Sequence, residues 1–120
     1  MGYVALRQGN LAEARQCFSE TAQSFQEDKY EIGVVYALEG IASLLIAVDK
    51  HERAAQLIGW ADATREKISD SRPLIEQTDV DRDAATMIAK IGNAAFEETY
   101  KMGRLMTLNE AVALALEELQ

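Results

Sequence analysis

His51 is the only histidine and Cys17 the only cysteine in the 120-residue chain. A Ser–His–Asp arrangement therefore has one candidate base and no recognisable partners for it. Zinc takes about four ligands, and one His with one distant Cys cannot supply them. His51 stands beside Glu52 near an expected helix start, so a surface or capping role is expected for it. Cys17 falls in an expected helix interior, where a lone Cys is ordinarily a small core residue rather than a reactive thiol. Asp79, Asp81 and Asp83 alternate as calcium ligands do. An EF-hand loop needs Gly at its sixth position and Glu at its twelfth, and here those positions are Ala84 and Lys90. The three aspartates are expected instead to collect at the first turn of the fourth helix, where the helix dipole favours negative charge. Glu97–Glu98 and Glu117–Glu118 are pairs of sequence neighbours, which point about 100° apart on a helix. They read as solvated faces. No phosphate-binding G-x-x-x-x-G-K-[ST] loop is present. No catalytic, metal-ligating or cofactor-binding residue is assigned, and no enzyme activity is expected.

Charge narrows the partners. Twelve basic residues are scattered among twenty acidic ones, for a net charge of −8. A nucleic-acid surface needs clustered Lys and Arg to displace counterions, and an anionic membrane needs a basic helix face. Neither pattern occurs, so no direct nucleic-acid or membrane partner is expected. One cysteine allows no internal disulfide and suggests a reducing compartment. The N-terminus has no signal-peptide pattern, and the apolar stretch Ile41 to Val48, broken by Ser43, is too short to span a bilayer. A cytoplasmic location is expected.

The elements that must position these residues are helices. A single Pro and abundant Ala, Glu, Leu and Gln favour helix intrinsically. After a short helix at Gly2 to Gln8, Leu11, Ala14, Phe18, Ala22 and Phe25 recur at threes and fours across Asn10 to Gln26. Asn10 and Glu13 form a candidate capping box. The second long helix, about Glu31 to Val48, is apolar nearly all round, which marks it as the central, buried element. A third runs from about His51 to Ser69, with Ala54, Leu57, Ile58, Ala61 and Ile68 as its stripe and Trp60 beside it. Residues 69–73 form a loop, because the residue before Pro73 is pushed away from helical geometry. The fourth helix is expected from roughly Val80 to Gly92, then a short one that Asn93 caps and Gly103 terminates. Thr107-Leu108-Asn109-Glu110 is an [ST]-x-x-E capping box opening the last helix, Leu108 to Leu119. No strand is required.

Two helix pairs can be superimposed at an offset of about 40 residues. Gly2, Gly9, Asn10, Ala14 and Phe18 of the first pair correspond to Gly40, Asp49, Lys50, Ala54 and Ile58 of the second. Small residues sit where paired helices approach closely, with a larger apolar side chain beside them. The first set resembles a tetratricopeptide motif lacking its first half-helix. Glu52-Arg53-Ala54-Ala55-Gln56-Leu57-Ile58-Gly59, together with Ala95-Phe96, Gly103-Arg104 and Thr107 to Ala113, is similar to the C-terminal helical-repeat region of LuxR-type transcriptional regulators and related ATPase or adenylate-cyclase proteins. The resemblance covers nearly the whole chain, most strongly Leu38 to Leu119, and departs at the loop, which has one proline. It implies an all-α fold of antiparallel helix pairs stacked as a tetratricopeptide-like right-handed superhelix. Residues 1–120 form one domain in this reading, with repeat pairs over 1–72 and C-terminal capping helices over 73–120, in a chain that is part of a longer protein.

Function is then expected from shape. In a tetratricopeptide pair the first helix lines a concave groove, and alignment on Gly40 directs Val34, Ala37, Ile41, Leu44 and Leu45 toward it. Alignment on Gly2 adds Tyr3, Leu6 and Arg7. A protein or peptide partner, or another domain of the parent protein, could lie there. The other reading is that helices after Pro73 fold back and fill that space, which is favoured because so apolar a patch is rarely left exposed. The expected function is protein–protein interaction or scaffolding in a bacterial transcriptional or signalling regulator. The alternatives are a small-molecule inducer sensor, with a pocket lined by Tyr36, Trp60 and polar side chains, and a homo-oligomerising module.

Overall fold

The computed structural model describes residues 11–118. Six α-helices occur among them and no strand. They are α1 (Leu11–Glu27), α2 (Glu31–Ala47), α3 (His51–Ile68), α4 (Leu74–Ile91), α5 (Asn93–Arg104) and α6 (Leu108–Glu118). The expected Gly2 to Gln8 helix and the Asn10 cap lie outside the described residues. No helix is long and apolar enough to cross a membrane among those described.

The first three helices end alike. The residues after them, Lys29, Asp49 and Ser69, have φ of 56°, 63° and 57° and recur every 20 residues. At each, two backbone bonds close the helix end: Lys29 and Tyr30 donate to Gln26 and Phe25, Asp49 and Lys50 to Ile46 and Leu45, Ser69 and Asp70 to Glu66 and Arg65. This is the Schellman pattern, built three times without glycine. Two such units span 40 residues, the offset expected for the helix pairs.

α2 is the central helix, as its composition requires. Val34, Val35, Leu38, Ile41, Ala42 and Leu45 are all fully buried. Each large apolar side chain among them stabilises the fold by roughly 1.5–3 kcal/mol relative to exposure. α1 packs against it through two aromatic knobs. A Cβ on Gly40 would overlap the Phe18 ring, and one on Gly33 would overlap the Phe25 ring. The missing side chains are what let α1 and α2 approach. α3 and α5 meet still more closely, backbone on backbone. A Cβ on Gly59 would strike the Tyr100 carbonyl oxygen, and one on Gly103 the Gln56 carbonyl oxygen. Gly103 is the last residue but one of α5, close to the expected end, and it is buried at this helix crossing. α6 adds Ala111, Val112 and Ala115 to the same core, and α4 adds Met87.

α4 begins six residues before the expected Val80. Pro73, at φ −56° and ψ 149°, stands at its N-cap, where a missing N–H costs nothing. Thr78 and Asp79 resemble a cap in sequence, but the Thr78 hydroxyl donates back to the Leu74 carbonyl at 3.0 Å within the helix. The three aspartates are consequently not at a first turn. Asp79 pairs with Arg82 at 3.2 Å, Asp81 accepts from Gln77 at 2.7 Å, and Asp83 accepts from Ser43 of α2 at 3.0 Å. The capping box of α6 forms as expected: Thr107 N–H donates to Glu110 Oε1 at 2.9 Å, and Glu110 N–H to Thr107 Oγ1 at 3.1 Å.

Candidate functional site

The residues expected to line a groove do not form an open surface. Val34, Ile41 and Leu45 are fully buried, and Ala37 and Leu44 are 2% exposed. α2 packs against α1 and α3, with α6 and α4 also in contact with it. The space is occupied as core, by helices that include those after Pro73. Tyr3, Leu6 and Arg7, the remaining groove residues, lie outside the described residues.

The side chains the structure does bring together are charged. Glu39 sits midway along α2, surrounded by apolar residues, and is 4% exposed. Arg65, on the last turn of α3, places Nε 3.0 Å from Glu39 Oε2 and Nη2 2.9 Å from Oε1. Arg72, in the loop before Pro73, donates from Nε to Oε2 at 2.7 Å and from Nη2 to the same oxygen. Both guanidinium groups are 5% exposed. Each has a second carboxylate: Asp70 takes Arg65 Nη1 at 3.0 Å, and Asp62 takes Arg72 Nη2 at 2.7 Å. The Tyr100 hydroxyl of α5 donates to the other Asp62 oxygen at 2.6 Å, and Arg72 also donates to Gln77 of α4 at 3.0 Å. Tyr36 lies under the Arg65 guanidinium, 5.2 Å from ring centroid to carbon.

Electrostatics follows from that geometry. Burial pulls the pKa of Arg65 and Arg72 down, but the hydrogen bonds and charge of Glu39 outweigh it, and both end above their ordinary values. Burial pushes Tyr100 up to about 12, reinforced by its bond to Asp62. Four N–H groups converge on Glu39, as many as a carboxylate ordinarily accepts. The cluster ties α2, α3, the 69–73 loop, α4 and α5 to one point.

The sequence contained a signal for this cluster. Glu39 is the only charged residue between Ile32 and Val48. A charge inside an all-round apolar helix is buried, and a buried charge demands partners.

His51 departs from the expected surface or capping role. It opens α3 but is only 6% exposed, with Nε2 3.2 Å from Asp49 Oδ1 and Nδ1 buried without a partner among the described residues. Ala95, Thr99 and Met102 of α5 line the same depression as His51. Cys17 is half-buried rather than a core residue. Glu97 and Glu98 are exposed, as expected of a solvated face. Among the described residues no group of three His, Cys, Asp or Glu side chains could hold a metal ion. Large apolar side chains do stand in solvent: Leu74 at 84% and Ile75 at 65% on the first turn of α4, and Leu105 at 86% beyond α5. Comparison with protein-family models, with curated proteins and with solved structures returns no significant match to this chain.

Proposed function

We propose that the chain is a non-catalytic protein-interaction module of the helical-repeat type, working in the cytoplasm as part of a bacterial transcriptional or signalling regulator. Its helix pairs would be antiparallel and stacked in a tetratricopeptide-like, right-handed sense. The 20-residue recurrence of left-handed turns at Lys29, Asp49 and Ser69 supports the repeat reading. The partner-binding surface in this proposal is not the α2 face, which is consumed by the core. It is the start of α4, and the observation that carries it is the adjacent pair Leu74 and Ile75 standing in solvent. Apolar side chains of that size in solvent offer a partner surface to bury. Pro73 and the Arg72 anchor hold that first turn in place, so an incoming surface meets a preorganised edge.

Site-specific photocrosslinking tests this. Benzoylphenylalanine at Ile75, in cells of the source organism, should yield a discrete protein adduct that the same group at exposed Lys90 does not. Indistinguishable adduct patterns at the two positions would count against the proposal.

A further inference from the structure

A cavity of about 610 Å³ opens between the α1–α2 turn, the second half of α3 and the start of α6. That volume suits a drug-sized molecule. Its apolar lining residues are Trp60, Ala63, Met106 and Leu108, and Thr64 borders it too. Trp60 is 3% exposed and Thr64 8%, so both are held by the fold and do not swing free.

Its rim is basic. Lys29, Lys67 and Arg104 all line it, three of the twelve basic residues in a chain of net charge −8. Glu31 is the only carboxylate among its lining residues. Arg104 is fixed by Glu66 at 2.5 Å and lies over the Tyr100 ring. Lys67 reaches Glu31 at 3.4 Å in a solvent-exposed pair, which an incoming anion displaces at little cost. Lys29 is set at the rim by its left-handed turn.

The start of α6 borders the cavity as well. Thr107 and Glu110 satisfy one another's N–H groups. The amides of Leu108 and Asn109 have no intrahelical acceptor, and both residues line the cavity. They carry the positive end of the α6 dipole. Apolar residues, three cations and the first turn of α6 thus border one hollow, brought there by α1, α2, α3, α5, α6 and the turns between them.

We propose that this cavity binds an amphipathic organic anion. Its apolar body lies against Met106 and Leu108, over the largely buried Trp60, and its carboxylate or phosphate meets Lys29 and Lys67 beside the start of α6. This binding is independent of the protein-interaction surface at Leu74 and Ile75, and either can fail without the other.

Trp60 is the only tryptophan in the chain and borders this cavity, so its indole is a single reporter beside it. The full chain labelled with 5-fluorotryptophan gives one ¹⁹F resonance to follow against 1-naphthoate, 1-naphthyl phosphate and the neutral 1-naphthalenemethanol. A saturable shift with at least one anion is expected, with a dissociation constant below about 1 mM. The better anion identifies the head group. The neutral alcohol should bind about tenfold more weakly or worse, since it forfeits the cationic rim. Lys29→Asn, which suits the left-handed backbone, combined with Lys67→Gln should weaken the anion by about fivefold or more. Circular dichroism of that double variant should match the parent, because both side chains are at the surface. No saturable shift with either anion, equal binding of the alcohol, or an unchanged affinity in the folded double variant would overturn the proposal.

Discussion

Replacing Glu39 by Ala removes the one carboxylate that faces two buried guanidinium groups. Arg65 and Arg72 are each 5% exposed and direct two N–H donors apiece at it. Breaking a buried pair by deleting one partner costs about 3–5 kcal/mol, because the charge left behind stays desolvated. Two carboxylates remain to soften that loss, Asp70 at 41% and Asp62 at 26% exposure. Both are wetter than Glu39, and Asp62 already shares itself with Tyr100. The low end, about 3 kcal/mol, is therefore the expected cost of Glu39→Ala. With a urea slope of about 1–1.5 kcal/mol per molar, the unfolding midpoint falls by roughly 2–3 M. Urea titration followed by circular dichroism measures it directly. A companion variant isolates the cause: Glu39→Leu with Arg65→Met and Arg72→Met removes all three charges and should recover most of the loss. A Glu39→Ala midpoint within about 0.5 M of the parent would mean the guanidinium groups do not depend on Glu39, and the clamp reading would fail.

Ser69→Gly relieves a left-handed turn residue and should raise stability by about 0.5–1 kcal/mol, read from the urea midpoint. Gly103→Ala drives a methyl into the Gln56 carbonyl and should destabilise by about 3 kcal/mol or prevent folding, since both surfaces are backbone and neither can yield; an unchanged melting temperature would show that α3 and α5 can part. Burial holds the Asp83 carboxyl above its usual range, so the native state binds that proton more tightly than the unfolded chain does. Its stability contribution is full below the unfolded pKa and is lost as pH rises through the folded one. Asp83→Asn should therefore stabilise relative to the parent more at pH 7 than at about pH 3.5, in paired urea titrations, and an equal difference at both would refute this.

The sequence alone determined that the chain is helical, because 3.6-residue periodicity and capping chemistry are local properties. The α6 capping box, the buried α2 and the breaks near Lys29, Asp49 and Ser69 were all readable from neighbours within a few residues. The start of α4 was not, because Thr78 and Asp79 carry cap-like side chains that the helix absorbs into its own turns. Gly103 marked the end of α5 to within one residue, but its close crossing with α3 was not legible. Glycine is called for by a turn and by a close crossing alike, and only the position of Gln56 distinguishes them. Composition marked Glu39 as anomalous, but its partners lie 26 and 33 residues away. The groove at Val34, Ala37, Ile41, Leu44 and Leu45 closed on the same principle. Periodicity says which face of a helix is apolar, and it cannot say whether a distant helix or a partner covers that face. Packing decides that, because burying apolar surface is non-directional and is satisfied by whichever helix the chain brings close.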